Sequence, residues 1–192
     1  MDYQMLVNRN NGLSKDFIPE DLRDSQSKYK DGIMINGTAL DAFKRMQEDA
    51  LKLNYSFDIE SGYRGYDYQA RVYKEIAEEK GQDYALKCVA IPGYSEHQTG
   101  LALDICVFRG EDAFIDYDME HLPETKWIHD NCYKYGFVIR YPKNKEEITG
   151  YNYEPWHLRY VGNLAKYLYE NELTLEEYYE KNYNNTNGKK SR

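Results

Sequence analysis

The run Gly-Leu-Ala-Leu-Asp-Ile-Cys-Val-Phe at 100–108 constrains the fold more than any other stretch of the chain. Leu101, Leu103, Ile105 and Val107 alternate with Ala102, Asp104, Cys106 and Phe108, the period of a strand with two distinct faces. One face is aliphatic. The other carries a carboxylate, which is costly to bury on an otherwise apolar strand unless it is paired or bound to a metal.

Other elements surround this strand. A helix is expected from about Thr38 to Leu53, capped by Thr38 with Asp41 three residues on, and with Leu40, Phe43, Met46, Ala50 and Leu53 at helical spacing. Residues 57–60 alternate like a short strand. The segment from Tyr66 to about Lys80 carries a thin apolar stripe of Ala70, Val72 and Ile76 and stops at Gly81. A helix from about Glu124 to Tyr135 ends at Gly136, and strands are expected at 137–141 and 156–161. A helix near 162–170 and another starting at Thr174, where Thr-x-x-Glu makes a capping box, close the fold. Helices mixed with short, non-adjacent strands read as a single-domain α+β fold over 1–182, followed by a disordered polar tail at 183–192.

Composition excludes several function classes. With 192 residues, 41% apolar and 30% charged, the chain fits one globular domain. A net charge of −8 argues against nucleic acid as a partner, because phosphate binding rests on Lys and Arg. No apolar run approaches a membrane span, and no basic-then-apolar leader opens the chain. The three cysteines, Cys88, Cys106 and Cys132, are too few and too far apart for a disulfide framework and read as reduced thiols. The chain as it stands therefore reads as cytoplasmic. The alternative is the cell-wall side of the membrane, if a signal or anchor has been removed. Oligomeric state is not legible. The 21 tyrosines suit a peptide or sugar cleft, and biased composition accounts for them equally well.

Of four histidines, His121 and His129 lie in or beside an amphipathic helix and read as surface or half-buried side chains. His97 lies on a turn between Pro92-Gly93 and Gly100 that leads into the strand holding Asp104, and His157 opens another strand. Two imidazoles and a carboxylate form a catalytic zinc set that leaves one coordination position for water, and the nitrogen ligands favour zinc over magnesium. Glu154, held three residues from His157 by Pro155 and Trp156, is placed to act as the base for hydrolysis. The competing reading is a buried Asp104 bonded to backbone, with both histidines as satisfied polar core residues.

The segments 61–69 (SGYRGYDYQ), 95–105 (SEHQTGLALDI) and 147–162 (EITGYNYEPWHLRYVG), with the opening LVNRNNGLSKDFIPEDL, resemble in order those of the VanY-type D-alanyl-D-alanine carboxypeptidases. That group of zinc peptidases includes VanXY dipeptidase/carboxypeptidases and LdcB-type L,D-carboxypeptidases. The resemblance implies one Zn2+ per chain on His97, Asp104 and His157, with Glu154 as the catalytic base. It implies Arg64 as the group that polarises the scissile carbonyl, a role that suits a fixed guanidinium facing a developing oxyanion. It also implies that Gln69 and Ser95 contact the substrate's terminal residue and carboxylate. The implied fold has a small central antiparallel sheet flanked by helices, shared with the signalling domain of hedgehog proteins. Trp156 lines the cleft or packs in the core.

The expected activity is removal of C-terminal D-Ala from peptidoglycan stem peptides or precursors ending in D-Ala-D-Ala. A VanXY-like dipeptidase activity tied to vancomycin resistance goes with it, and an L,D-carboxypeptidase acting on tetrapeptides is the alternative. A dipeptide substrate needs a carboxylate to accept its amino terminus, and Glu96 or the acidic segment 109–121 offers one. A peptidoglycan-binding module with structural zinc is the non-enzymatic alternative, and the pairing of Glu154 with Arg64 argues against it.

Overall fold

The alternating stretch forms the centre of the sheet. In the computed structural model, which describes residues 2–187, strands β1 (Leu22–Asp24) and β2 (Met34–Asn36) pair antiparallel and lead into helix α1 (Gly37–Leu51). Strand β3 (Ser56–Ser61), helices α2 (Tyr66–Lys80) and α3 (Gln82–Cys88), the central strand β4 (Ala102–Arg109) and its hairpin partner β5 (Asp112–Phe114) follow. The second half holds α4 (Pro123–Asn131), β6 (Phe137–Ile139), the single turn α5 (Glu146–Thr149), β7 (His157–Tyr160), α6 (Leu164–Glu170) and α7 (Leu175–Asn187). The main sheet runs β3-β4-β7-β6 with β5 added to β4, and all its pairings are antiparallel. This is the expected α+β architecture.

The register sorts the two faces. Ile59 pairs with Ile105, Phe57 with Val107, Leu103 with Leu158 and Phe137 with Tyr160. These side chains form one buried cluster with Ala39, Leu40, Phe43, Met46 and Ala50 of α1. The opposite face carries a polar row: Ser61 is opposite Asp104, Asp104 is opposite His157, and Arg140, just beyond β6, donates its backbone N–H to the His157 carbonyl (3.1 Å). Phe43 is fully buried and meets Phe57 and Phe137 edge-on at 5.6 and 6.3 Å. Phe43→Ala is expected to lower stability by about 3–5 kcal/mol, read as a shifted midpoint in urea unfolding.

Element ends depart from expectation in three places. Asn36, not Thr38, caps α1: its Oδ1 accepts the N–H groups of Thr38 (3.2 Å) and Ala39 (3.3 Å), while Thr38 Oγ1 accepts from the Tyr3 hydroxyl. Helix α1 ends at Leu51, because a turn through Asn54 (φ +62°) follows, and Leu53 leaves the apolar stripe 52% exposed. The expected helix to Tyr135 divides into α4 and a tighter 3₁₀ turn, Cys132–Tyr135, closed by Gly136 in the left-handed region. The Thr174 capping box is present: Thr174 N–H donates to Glu177 Oε2 (2.8 Å), and Glu177 N–H donates to Thr174 Oγ1 (3.2 Å).

Helix α7 runs to Asn187, into the segment expected to be a tail, and residues 188–192 lie outside the described residues. The cysteines form no disulfide, and burial pushes the thiols of Cys106 and Cys132 up to about 12. Among the described residues, no helix is long and apolar enough to cross a membrane.

Candidate active site

The polar row becomes a site because a turn folds over it. Residues Glu96–Thr99 form a 3₁₀ turn, started by Ser95, whose Oγ accepts the His97 N–H (3.3 Å), and ended by Gly100 at φ +69°. A side chain at Gly100 would bring its Cβ to 2.9 Å from Leu22, so both the backbone sign and the space call for glycine. The turn hands the chain directly to β4, which places His97 above Asp104. The neighbouring Ile105 N–H to Trp156 O bond (3.1 Å) makes Asp104 and His157 a non-hydrogen-bonded cross-strand pair, where side chains stand closest.

Three donor sets converge as a result. His97 Nε2 lies 3.2 Å from Asp104 Oδ2, His157 Nδ1 lies 3.1 Å from Asp104 Oδ1, and the ligand atoms of the three residues all fall within 4.8 Å of one another. Arms of ~2.0–2.2 Å in tetrahedral geometry set their ends about 3.3–3.6 Å apart. His97 Nδ1 donates to the Gly62 carbonyl (2.7 Å), which leaves Nε2 to face inward. His97 Nε2 and Asp104 Oδ1 are buried with no hydrogen-bond partner. Orphaned buried polar atoms are rare, and a cation satisfies them together; two imidazoles and a carboxylate are a zinc-type set. Those atoms favour a bound cation over the reading of these residues as satisfied polar core groups.

Glu154 stands at the edge of this group. Its N–H donates to the Tyr141 carbonyl (3.0 Å), its own carbonyl accepts the His157 N–H (3.3 Å), and its Oε2 lies 3.4 Å from His157 Nδ1. Burial pushes the Glu154 carboxyl up to about 8, the Asp104 carboxylate adds to the shift, and His157 opposes it. Burial also lowers His97 to about 4, with Arg64 adding to the effect. For His157, burial acts downward but is outweighed by the carboxylates of Asp104 and Glu96, which hold it at about 9. Asp104 stays well below its usual range despite burial, because two imidazoles flank it.

Arg64 closes the other side. Its Nη1 donates to Ser61 Oγ (2.8 Å) and Asp104 Oδ2 (3.3 Å), and its Nε donates to Gln69 Oε1 (3.1 Å). Gln69 is buried on α2, and its amide nitrogen donates to the Ala90 carbonyl (2.8 Å), so both ends of the amide are engaged within the protein. Arg64, Ser95, His97, Glu154 and His157 line one cavity of about 210 Å³, whose walls also include Glu96, Cys88, Tyr141, Tyr151, Val72, Ile76, Val89 and Ala90. Trp156 is not among the lining residues; its ring packs edge-on against Tyr117 at 5.0 Å and against the core.

Glu96, offered above as an acceptor for a substrate amine, is fully buried. Its Oε1 accepts from Arg140 Nε (2.8 Å) and Arg159 Nη1 (2.7 Å), and those arginines hold it well below the usual carboxylate range against the effect of burial. Oε1 is thus committed to the two arginines, while Oε2 makes no hydrogen bond. His129 is half-buried and donates from Nε2 to the Pro155 carbonyl (2.9 Å), bracing the turn between Glu154 and His157. Sequence reasoning missed Ser61, Tyr141, Arg140 and Arg159. A charge within an apolar strand, the signal that flagged Asp104, also marks Arg140 and Arg159.

Residues 32–163 match the family profile VanY, D-alanyl-D-alanine carboxypeptidase. YodJ of Bacillus subtilis (strain 168) is 46% identical over 182 residues, 92% of this chain and 66% of YodJ, so the chain spans about two thirds of that relative. The LdcB LD-carboxypeptidase superposes with a TM-score of 0.84 at 45% identity, covering 91% of this chain and 84% of LdcB. A variant of the D,D-pentapeptidase VanY from a VanB-type vancomycin resistance cassette, solved with Zn(II), superposes at 0.79 with 33% identity, covering 93% and 99%. A match of this extent, to relatives that keep the same fold, means that the chain belongs to the VanY family of D-alanyl-D-alanine carboxypeptidases, which are zinc metallopeptidases.

Proposed function

We propose that the chain is a zinc carboxypeptidase that removes the C-terminal D-alanine from peptidoglycan stem peptides or their precursors. The observation that carries this reading is the convergence of the His97, Asp104 and His157 donors within 4.8 Å, with an extra buried carboxylate, Glu154, beside them and not needed as a ligand. His97 Nε2, Asp104 and His157 Nδ1 would hold one zinc ion per chain, which would supply Lewis-acid chemistry.

The chain's own groups account for the rest. Glu154, whose carboxyl a cation on the neighbouring donors would bring down from about 8, takes a proton from the attacking water and passes it to the departing amine of D-alanine. Arg64, held by Ser61 and Gln69, meets the negative charge that develops on the scissile carbonyl oxygen. Gln69 acts by orienting Arg64. Ser95, whose oxygen starts the 3₁₀ turn, donates its hydroxyl to the terminal carboxylate. A cavity of about 210 Å³ with valine, isoleucine and alanine walls suits a small C-terminal residue such as alanine. A binding module has no use for a base and an oxyanion partner placed together.

A second reading, L,D-carboxypeptidase activity on tetrapeptides, is supported by the likeness to LdcB, which superposes with a TM-score of 0.84 at 45% identity. Mass spectrometry of products from free D-Ala-D-Ala, tetrapeptide and pentapeptide, with and without chelator, tests both. Loss of one alanine from the pentapeptide supports the first reading, loss from the tetrapeptide alone supports the second, and intact peptides throughout contradict both.

A further inference from the structure

Each imidazole of the metal group has one nitrogen facing the site and one facing away. The outward nitrogen of His97 is tethered to the Gly62 carbonyl at 2.7 Å. The outward nitrogen of His157, Nε2, is buried without a hydrogen bond, and so is Glu96 Oε2; the two lie 3.7 Å apart. We propose that Glu96 is the positioning residue of the metal centre: it accepts the His157 Nε2–H and thereby fixes Nδ1 as the ligating nitrogen. This rests on the metal reading above.

Three features support it. First, Glu96 is a fixed anion. Its other oxygen takes Arg140 Nε and Arg159 Nη1, both guanidiniums are 1% exposed or less, and Arg140 is anchored in turn by Glu176 of α7 at 2.6 and 2.9 Å. Second, the charges of Glu96, Glu176, Arg140 and Arg159 cancel, so the cluster sits beside a cation site without adding net charge to it. Third, the fold builds the cluster from the ligands' own neighbours: Glu96 adjoins His97, Arg159 lies two residues along β7 from His157, and the Arg140 backbone bonds to His157. A cation on Nδ1 polarises the ring and strengthens Nε2–H as a donor, which favours closing the gap by about 0.8 Å to hydrogen-bond distance.

Glu96→Gln tests the assignment sharply. The two arginines keep the amide oxygen on their side, so the amide nitrogen turns toward His157 Nε2 and favours the tautomer with the proton on Nδ1, which cannot ligate. Zinc affinity, measured by competition with a chromophoric chelator, is expected to fall about 10–100-fold. Glu176→Gln, which weakens the cluster but leaves Glu96 bonded to both arginines, is expected to lower the unfolding temperature while holding zinc as the wild type does. A folded Glu96→Gln protein with wild-type zinc affinity overturns the proposal.

If Glu96→Gln does not fold, the wild type still decides. A long-range proton–nitrogen spectrum of the zinc-loaded protein is expected to show His157 with Nε2 protonated and Nδ1 on the metal. Coordination through Nε2 overturns the proposal. A wild type that binds no zinc overturns the metal reading itself.

Discussion

Glu154→Gln is expected to lower the rate of D-alanine release by about 10²–10⁴-fold while the protein keeps its zinc. The amide fills the volume of the carboxyl group and leaves the backbone bonds to Tyr141 and His157 in place, so the turn should hold. What is lost is the ability to take and return a proton. Metal analysis and alanine release on the same preparation check the two halves of the statement. Wild-type turnover, or zinc lost in step with activity, would contradict the role of base.

Arg64→Ala is expected to cost about 10²–10³-fold in kcat, the range for removing one preorganised donor from a developing oxyanion. Arg64 has its Nε and Nη1 committed to Gln69, Ser61 and Asp104, so it is held before substrate arrives. Its loss should fall on kcat more than on KM, because the charge it meets exists mainly in the transition state. Gln69→Ala, which releases the Nε end only, should produce a smaller loss of the same kind. Steady-state kinetics on a pentapeptide measure both, and an effect confined to KM would reassign Arg64 to ground-state binding.

The strand at 100–108 shows why part of this molecule is legible in its sequence. A two-residue period over eight positions leaves one arrangement of faces, and that arrangement alone singles out Asp104. The capping box at Thr174 is legible for a similar reason, since its defining bonds join two residues only three positions apart. Helix α3 is not legible, because Ala85 is its single buried residue and no apolar stripe marks it. Asn36 escapes as a cap because it also ends β2, so a strand pattern masks the start of the helix.

The site divides along the same line. His97, Asp104, His157 and Glu154, the proposed ligands and base, stand out by chemistry and spacing. Glu96 does not, because its meaning comes from arginines 44 and 63 residues away that only the sheet brings to it. Trp156 reads as a cleft residue because it sits between Glu154 and His157. In a strand entry, however, adjacent side chains point to opposite sides, and its ring goes to Tyr117.

The central claim is that His97, Asp104 and His157 grasp one divalent cation and leave Glu154 outside its coordination shell. An anomalous difference map at the zinc edge, from crystals of the zinc-loaded protein, tests it most directly. The expected result is one strong peak about 2 Å from His97 Nε2, an Asp104 oxygen and His157 Nδ1, with no fourth protein ligand. A peak elsewhere, or one closed off by Glu154 as a fourth protein donor, would contradict the account.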